Sequence, residues 1–326
     1  MTNDQESRWR LSPDSTLPAY LELVRAPNLF TAVADVATGF VFARTTEAPR
    51  GVWLLGWPDV HLLGLLVFTS MLFYTSGIVF NDVFDLPLDA RQRPERPLPS
   101  RRVSLHAARR LGWIFLLSAV AFAWVCASLI GSLRPSIVAS LLAVCILLYD
   151  AWLKRTPLGP VLMGGCRMLN VLLGMSVAAA AWQTPHWLVA GGIGTYVAGV
   201  TWFARTEAAR SSRVHLAAAT AVMILGISLV AVFPSWADNF APPTKDQPAH
   251  WGTLMVILAA VIGGRCLRAV IEPSPARVQS VVRLCILWLV VLDAAVCYAV
   301  RGPVWAAVIL LLLLPAVSLG RWIRLT

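Results

Sequence analysis

Ten runs of apolar residues, most of them close to 20 residues long, occupy most of this chain. An α-helix needs about 20 such residues to cross the hydrocarbon core of a bilayer. The composition agrees, because 58% of the residues are hydrophobic and only 13% are charged. We therefore predict an all-α polytopic membrane protein with nine to ten transmembrane helices. The runs cover residues 29–43, 60–80, 111–131, 136–152, 159–181, 187–204, 214–233, 252–271, 281–300 and 303–320.

The lysines and arginines between these runs are unevenly distributed. If the N-terminus is cytoplasmic, all but five of those outside the spans fall on the cytoplasmic side, as the positive-inside rule expects. This arrangement predicts that both termini are cytoplasmic, with a cytosolic tail over residues 1–28 and a membrane domain over residues 29–326. The net charge of +10 then reflects topology beside anionic lipid, and the sequence contains no nucleic-acid-binding motif. The five exceptions are Arg44, Arg50, Arg134, Lys245 and Arg301.

The second run leads into an acidic motif, Asn81-Asp82-Val83-Phe84-Asp85-Leu86-Pro87-Leu88-Asp89. Gathering three carboxylates at a membrane surface is costly unless a cation holds them, and Mg²⁺ prefers carboxylates together with substrate phosphates. Their spacing would place them on one face of a continuous helix. Pro87 instead predicts that the span ends near Asp85 and that a new turn begins at Pro87. The alternative is a solvated acidic loop that balances the arginines after it.

Basic residues follow both the acidic motif and the fourth run. Seven arginines lie within residues 91–110, among them Arg93 and Arg96, and Lys154 and Arg155 follow the fourth run. A lysine point charge and an arginine fork together suit a diphosphate. The same residues are also explained as positive-inside anchors. Because the second, fourth and sixth spans all end in the cytoplasm, their loops can converge on one cavity mouth.

Arg167 and Asn170 lie one helical turn apart inside the fifth run. A charge at this depth costs at least about 2.5 kcal/mol and usually faces a cavity or a partner. Three acidic residues also lie within the apolar runs, namely Asp35, Asp150 and Asp293. Arg167 and Asn170 are therefore candidate substrate-binding residues. The alternative for Arg167 is a structural ion pair with Asp150 or Asp35.

On these residues the chain resembles the UbiA superfamily of intramembrane prenyltransferases, from about Tyr20 to the ninth span. The motifs that carry the resemblance are Asn81-Asp82-x-x-Asp85-x-x-x-Asp89 with Arg96-Pro97-Leu98-Pro99-Ser100, Arg25-x-Pro27-Asn28, and Lys154-Arg155-Thr156. The resemblance implies a helical bundle around a central cavity and Mg²⁺-dependent transfer of a prenyl group from a polyprenyl diphosphate. It implies that Asp82, Asp85 and Asp89 bind Mg²⁺. It also implies that Asn81, Lys154 and Arg155 hold the diphosphate, and we predict that Arg93 and Arg96 bind the substrate as well.

The sequence departs from the family after the sixth run, where a second Asp-rich motif normally binds a second Mg²⁺. That position reads Phe203-Ala204-Arg205-Thr206-Glu207-Ala208-Ala209-Arg210, with one acid. Either Arg205 and Arg210 replace the second metal as phosphate clamps beside Glu207, or the diphosphate chemistry is altered or lost. This pattern, together with Cys166-Arg167-x-x-Asn170, is similar to the EboC-like branch.

Three functions are compatible with these patterns. The leading hypothesis is a Mg²⁺-dependent prenyltransferase that uses a lipophilic or aromatic acceptor within the lipid bilayer. The second is a repurposed, non-catalytic protein of the same fold that binds or moves an isoprenoid or a pathway intermediate. A secondary transporter is the third and weakest, because the polar residues cluster at one face and no internal repeat is found. Donor chain length, acceptor and oligomeric state stay open.

Overall fold

In the computed structural model, residues 16–24, 29–45, 56–205, 212–237 and 248–322 are described. These residues form α-helices joined by turns, without a β-strand among them, which confirms the predicted all-helical class. The helices are α1 (Thr16–Leu23), α2 (Leu29–Thr45), α3 (Trp57–Gln92), α4 (Leu105–Ile130), α5 (Arg134–Ala151), α6 (Gly159–Met175), α7 (Thr184–Ala204), α8 (Arg213–Val232), α9 (Pro248–Ile271), α10 (Pro275–Arg301), α11 (Pro303–Leu311) and α12 (Leu313–Trp322).

Seven helices within the described residues are long and apolar enough to cross a membrane. Two further segments, α6 and the last run, are apolar but shorter, so the predicted count of nine to ten spans is not confirmed. The helix α6 ends at Met175 instead of continuing to residue 181. The last run divides into α11 and α12 because Pro315 cannot donate a helical hydrogen bond to the carbonyl of Leu311. The seven are Pro58–Gln92, Leu105–Ile130, Arg134–Ala151, Thr184–Ala204, Arg213–Trp236, His250–Ile271 and Pro275–Arg301.

The helix α3 carries the whole acidic motif, and the prediction that it would break at Pro87 is wrong. It has 36 residues and so extends for about 54 Å, well beyond the roughly 30 Å of a hydrocarbon core. Pro87 has no N–H group and cannot bond to the Val83 carbonyl, yet the helix continues to Gln92. Arg96 forms ion pairs with Asp82 and Asp89, on either side of Pro87, and these contacts hold the two turns together.

Glycines allow α6 to pack closely between α2 and α7. A Cβ atom added to Gly174 would overlap the Val36 carbonyl of α2, and one added to Gly39 would overlap the Val171 carbonyl of α6. On the other side of α6, a Cβ atom on Gly164 would overlap the Gly194 carbonyl of α7. Two helix backbones can approach this closely only where the residues between them are small. As a result, the polar face of α6 is held directly against α2 and α3.

Candidate active site

The turn that follows α5 brings Lys154 against the acidic end of α3. Residues Leu153–Arg155 form a 3₁₀ turn, and the Lys154 ammonium donates hydrogen bonds to Asn81 Oδ1 and Asp85 Oδ2. Arg155 donates from Nη2 to Asp85 Oδ1 at 3.2 Å, while 66% of its side chain remains exposed. Asp85 is thus paired with two cations that follow it by about 70 residues in the sequence.

The other two carboxylates of the motif are paired with a different cation. Arg96 Nη1 lies 2.8 Å from Asp89 Oδ2 and 3.6 Å from Asp82 Oδ1. All three of these residues are buried, because the loop after α3 folds back over the end of that helix. Arg93, by contrast, is exposed, and its main-chain N–H caps α3 by donating to the Asp89 carbonyl at 2.8 Å.

The oxygen atoms around Lys154 suit a bound cation. Asn81 and Asp85 converge on the ammonium group, so a positive charge already lies between an amide oxygen and a carboxylate oxygen. Mg²⁺ takes one or two protein carboxylates and completes its shell with water and substrate phosphates. Within the described residues, no three His, Cys, Asp or Glu side chains lie close enough together to hold one metal ion. Magnesium binding by Asp82, Asp85 and Asp89 together stays a prediction.

A cavity of about 250 Å³ begins beside Asn81 and follows one face of α3. Its α3 residues recur at the spacing of one helical face, over a rise of about 16 Å. Tyr149 and Asp150 line it near Asn81, whereas Ser70, Arg167 and Asn170 line its far end. The α3 residues are Ser70, Phe73, Tyr74, Gly77, Ile78 and Asn81, and the remaining walls include Ala32, Leu142, Ile146, Met163 and Cys166.

The far end of the cavity is a hydrogen-bonded polar network. Arg167 donates from Nη1 to Asp35 Oδ2 at 2.8 Å and from Nη2 to Thr31 Oγ1 at 2.9 Å. Its guanidinium also lies 5.4 Å from the centre of the Tyr74 ring. Of the two ion pairs that the sequence allowed, the structure contains the one with Asp35. Because Arg167 also lines the cavity, a role in ligand binding stays a prediction.

Asn170 and Ser70 complete this network. Asn170 donates from Nδ2 to the Ala32 carbonyl at 2.8 Å, and Ser70 donates to Asn170 Oδ1 at 2.7 Å. Sequence analysis identified Asn170 but missed Ser70 and Tyr74. Both lie on the same face of α3 as Asn81, so their helical spacing from the acidic motif was the signal that could have found them.

The end of α7 contacts the Lys154 turn. Arg205 donates from Nη2 to the main-chain carbonyl of Lys154 at 2.8 Å and also to the carbonyl of Thr156. Its guanidinium therefore binds the backbone of the turn, whereas the sequence suggested a clamp on phosphate. Glu207 and Arg210 lie outside the described residues, as does the motif Arg25-x-Pro27-Asn28.

The sequence matches the UbiA prenyltransferase family over residues 51–279. The chain therefore belongs to the UbiA prenyltransferase family, and it is an integral membrane protein, as the sequence predicted. The sidedness of its loops and termini, and the EboC-like branch, stay predictions.

Relatives found by sequence include digeranylgeranylglyceryl phosphate synthases. The protein of Methanopyrus kandleri is 35% identical over 169 residues, which cover 50% of this chain and 56% of that protein. The protein of Methanobrevibacter smithii is 28% identical over 139 residues, covering 43% and 44%. The chain thus spans about half of the length of these relatives.

Solved structures share the fold at low sequence identity. One, described as giving insights into digeranylgeranylglyceryl phosphate synthase in membranes, has a TM-score of 0.63 at 19% identity, covering 88% of this chain and 99% of that one. A UbiA homolog from Archaeoglobus fulgidus bound to GPP and Mg²⁺ has a TM-score of 0.57 at 13% identity, covering 90% and 99%. At such identities the likeness establishes the fold alone.

Proposed function

We propose that this protein is a Mg²⁺-dependent prenyltransferase that moves a prenyl group from a polyprenyl diphosphate to a lipophilic or aromatic acceptor within the membrane. One observation carries the proposal. A cation position formed by Asn81 and Asp85 lies at the end of a cavity with largely apolar walls. A prenyl diphosphate has a charged head that suits the cation position and a hydrocarbon tail that suits the apolar walls.

The charged head would bind where Lys154 now contacts Asp85. Asn81 and Asp85 would hold Mg²⁺ together with Asp82, which is one helical turn from Asp85. When bound, the metal supplies neutralisation of diphosphate charge. Lys154, released from Asp85, would then bond to the phosphate oxygens, and Arg155 is exposed beside it. Both cations would stabilise the charge that develops on the departing diphosphate.

The reaction would break the allylic C–O bond, with its electron pair leaving on the diphosphate. The nucleophilic atom of the acceptor forms the new bond to the same carbon and loses one proton. Asp150 is buried and lines the cavity near Asn81, which makes it our candidate to accept this proton. The apolar walls formed by Ile78, Leu142 and Ile146 would shield an allylic cation from the water that quenches it.

Arg205 would compensate for the altered second acidic motif. It bonds to two carbonyls of the turn that carries Lys154 and Arg155. We propose that this contact keeps both cations in position for the diphosphate, so that part of the role of a second metal is met by preorganised protein charge.

The proposal is tested by measuring the binding of geranyl, farnesyl and geranylgeranyl diphosphates to the purified protein, with and without Mg²⁺. We expect binding that requires Mg²⁺ in the wild type and is lost in Asp85→Asn. The matched control is Asp59→Asn, in the first turn of the same helix and paired with Arg44. Diphosphate binding that is unchanged in Asp85→Asn would overturn the assigned site.

A second function is favoured by the single acid in Phe203-Ala204-Arg205-Thr206-Glu207-Ala208-Ala209-Arg210. A protein that binds an isoprenoid without reacting it would still need the cavity but not a second metal. Incubation of the bound donor with a panel of lipophilic and aromatic acceptors separates the two. Release of diphosphate with formation of a prenylated product supports the transferase, and stable binding without product supports the carrier.

A further inference from the structure

The far end of the cavity is polar although it lies among transmembrane helices. A hydrocarbon tail gains nothing from contact with Ser70, Arg167 and Asn170, which are held in place by hydrogen bonds. Polar residues at this depth are costly and usually mark a binding site or a buried pair. Here both descriptions hold, because Arg167 is paired with Asp35 and also lines the cavity.

The distance between the two ends suits a small acceptor. Tyr74, over which the Arg167 guanidinium lies, precedes Asn81 by seven residues on the same face of α3. Seven helical residues correspond to about 10 Å. The reacting carbon of a donor held at Asn81 occupies the first part of this length. The remainder is comparable to one aromatic ring with a substituent, and Phe73 and Tyr74 provide aromatic walls beside it.

Arg167 keeps hydrogen-bonding capacity toward the cavity. A guanidinium has five N–H donors in a planar fork. Among the described residues, one donor reaches Asp35 and one reaches Thr31, and these contacts fix the plane of the group. The side chain is 14% exposed. A donor group that is already oriented binds an acceptor oxygen at low entropic cost.

The charges around Arg167 restrict which oxygen it can bind. Asp35 and Asp293 are both fully buried, and they lie close enough for each carboxyl group to feel the charge of the other. Neither oxygen of Asp293 has a hydrogen-bond partner within the described part of the chain. The 2.8 Å ion pair with Asp35 already compensates the positive charge of the Arg167 guanidinium, and the carboxyl group of Asp293 lies behind it. A second anion brought here would face a carboxyl group without a compensating cation.

We infer that Arg167 binds the acceptor and selects an aromatic compound with an uncharged carbonyl or hydroxyl oxygen over one with a carboxylate or phosphate. This inference rests on the proposed function, since it assumes that the donor head occupies the Asn81 end. Asp35 and Asp293 are the positioning residues, because they hold the guanidinium and set the charge behind it. Neither of them lines the cavity.

The test uses two probes of nearly equal shape, 4-hydroxybenzamide and 4-hydroxybenzoate. Their dissociation constants are measured by ligand-observed NMR on the purified protein, with and without saturating geranyl diphosphate and Mg²⁺. We expect the amide to bind at least about tenfold more tightly than the carboxylate. Equal binding, tighter binding of the carboxylate, or binding of neither probe would overturn the inference.

Two variants test the cause of the selectivity. Asp35→Asn removes the carboxylate that is paired with Arg167 without altering the cavity wall, and we expect the preference for the amide to fall toward one. Arg167→Gln removes the donor fork, and we expect the affinity for the amide to fall about tenfold. Asp59→Asn is the control in which the ratio stays at its wild-type value. An unchanged ratio in folded Asp35→Asn protein contradicts the charge argument, and the wild-type ratio decides the inference if that variant does not fold.

The outcomes for donor and acceptor are separable. If none of geranyl, farnesyl and geranylgeranyl diphosphate binds to the wild type, the proposed function fails. The preference between the two probes without donor then still tests whether Arg167 selects an uncharged group. If the donor binds but the carboxylate probe is preferred, the proposed function stands and the acceptor inference is wrong.

Discussion

The guanidinium of Arg205 donates a 2.8 Å hydrogen bond to the main-chain carbonyl of Lys154. This contact joins the end of α7 to the turn after α5, and that turn in turn contacts the acidic end of α3 through Lys154 and Asp85. Three separate segments of the chain therefore meet at one point on the membrane-spanning bundle. Arg205 touches the backbone of the turn, so its effect on a substrate would be exerted through Lys154 and Arg155.

Removing Arg205 should weaken diphosphate binding without unfolding the protein. We expect Arg205→Ala to bind geranyl diphosphate about fivefold to tenfold more weakly, because a partly exposed hydrogen bond from a charged donor contributes about 1 kcal/mol. Titration of purified protein in the presence of Mg²⁺ measures the change. Arg213→Ala, which removes an exposed arginine at the start of α8, is the control. Equal affinities in the two variants would show that Arg205 does not position the turn.

Gly159 provides a test of the same contact by adding atoms. A Cβ atom at this position would lie 2.6 Å from the Lys154 carbonyl oxygen and 2.8 Å from Arg205 Nη2. We expect Gly159→Ala to displace the turn and lower the affinity for geranyl diphosphate. In Gly165→Ala on the same helix, the new methyl group meets Cys145 Sγ at an ordinary 3.5 Å. Binding and thermal unfolding measured for both variants check this, and a larger loss of affinity in Gly165→Ala would contradict it.

Lys154 and a metal ion compete for the same oxygens. We expect Lys154→Ala to bind Mn²⁺, used as a spectroscopic substitute for Mg²⁺, more tightly than the wild type when no diphosphate is present. With metal present, the same variant should bind geranyl diphosphate about tenfold more weakly, because one phosphate-binding cation is gone. Electron paramagnetic resonance titration measures the first effect. Arg110→Ala, which removes an exposed cation of α4, is the control, and metal affinity that falls in Lys154→Ala would refute the competition.

The ion pair between Arg167 and Asp35 should be important for stability. Asp35→Ala would leave a buried guanidinium without its partner, and we expect a loss of about 3–5 kcal/mol in the free energy of unfolding. Asp59→Ala breaks the ion pair with Arg44, in which the side chain of Arg44 is 23% exposed and that of Asp59 is 30% exposed. This change should lower the free energy of unfolding by about 1 kcal/mol or less. Thermal unfolding in detergent compares the two variants. Similar shifts in both would show that burial of the Asp35 pair has no special consequence.

Local sequence patterns were sufficient for the class of protein and for much of the candidate site. Apolar runs predicted a helical membrane protein, and the acidic motif with Lys154-Arg155-Thr156 predicted the family to which the chain belongs. The expectation that Pro87 would end the helix was wrong, because α3 continues to Gln92. A propensity describes an isolated helix, whereas here Arg96 connects the turns before and after the proline.

The sequence by itself determined the membrane-spanning helices, the acidic motif and the surplus of basic side chains, because each of these depends on neighbours along the chain. Only the tertiary structure decided which charged side chains form ion pairs with one another. Asp85 pairs with Lys154 while Asp82 and Asp89 pair with Arg96, and Arg167 pairs with Asp35 although Asp150 was equally possible from the sequence. The physical reason is that spacing along a helix defines its faces but leaves its rotation free. That rotation is set by close helix contacts, such as those of Gly39 and Gly174, which turn the polar face of α6 toward α2.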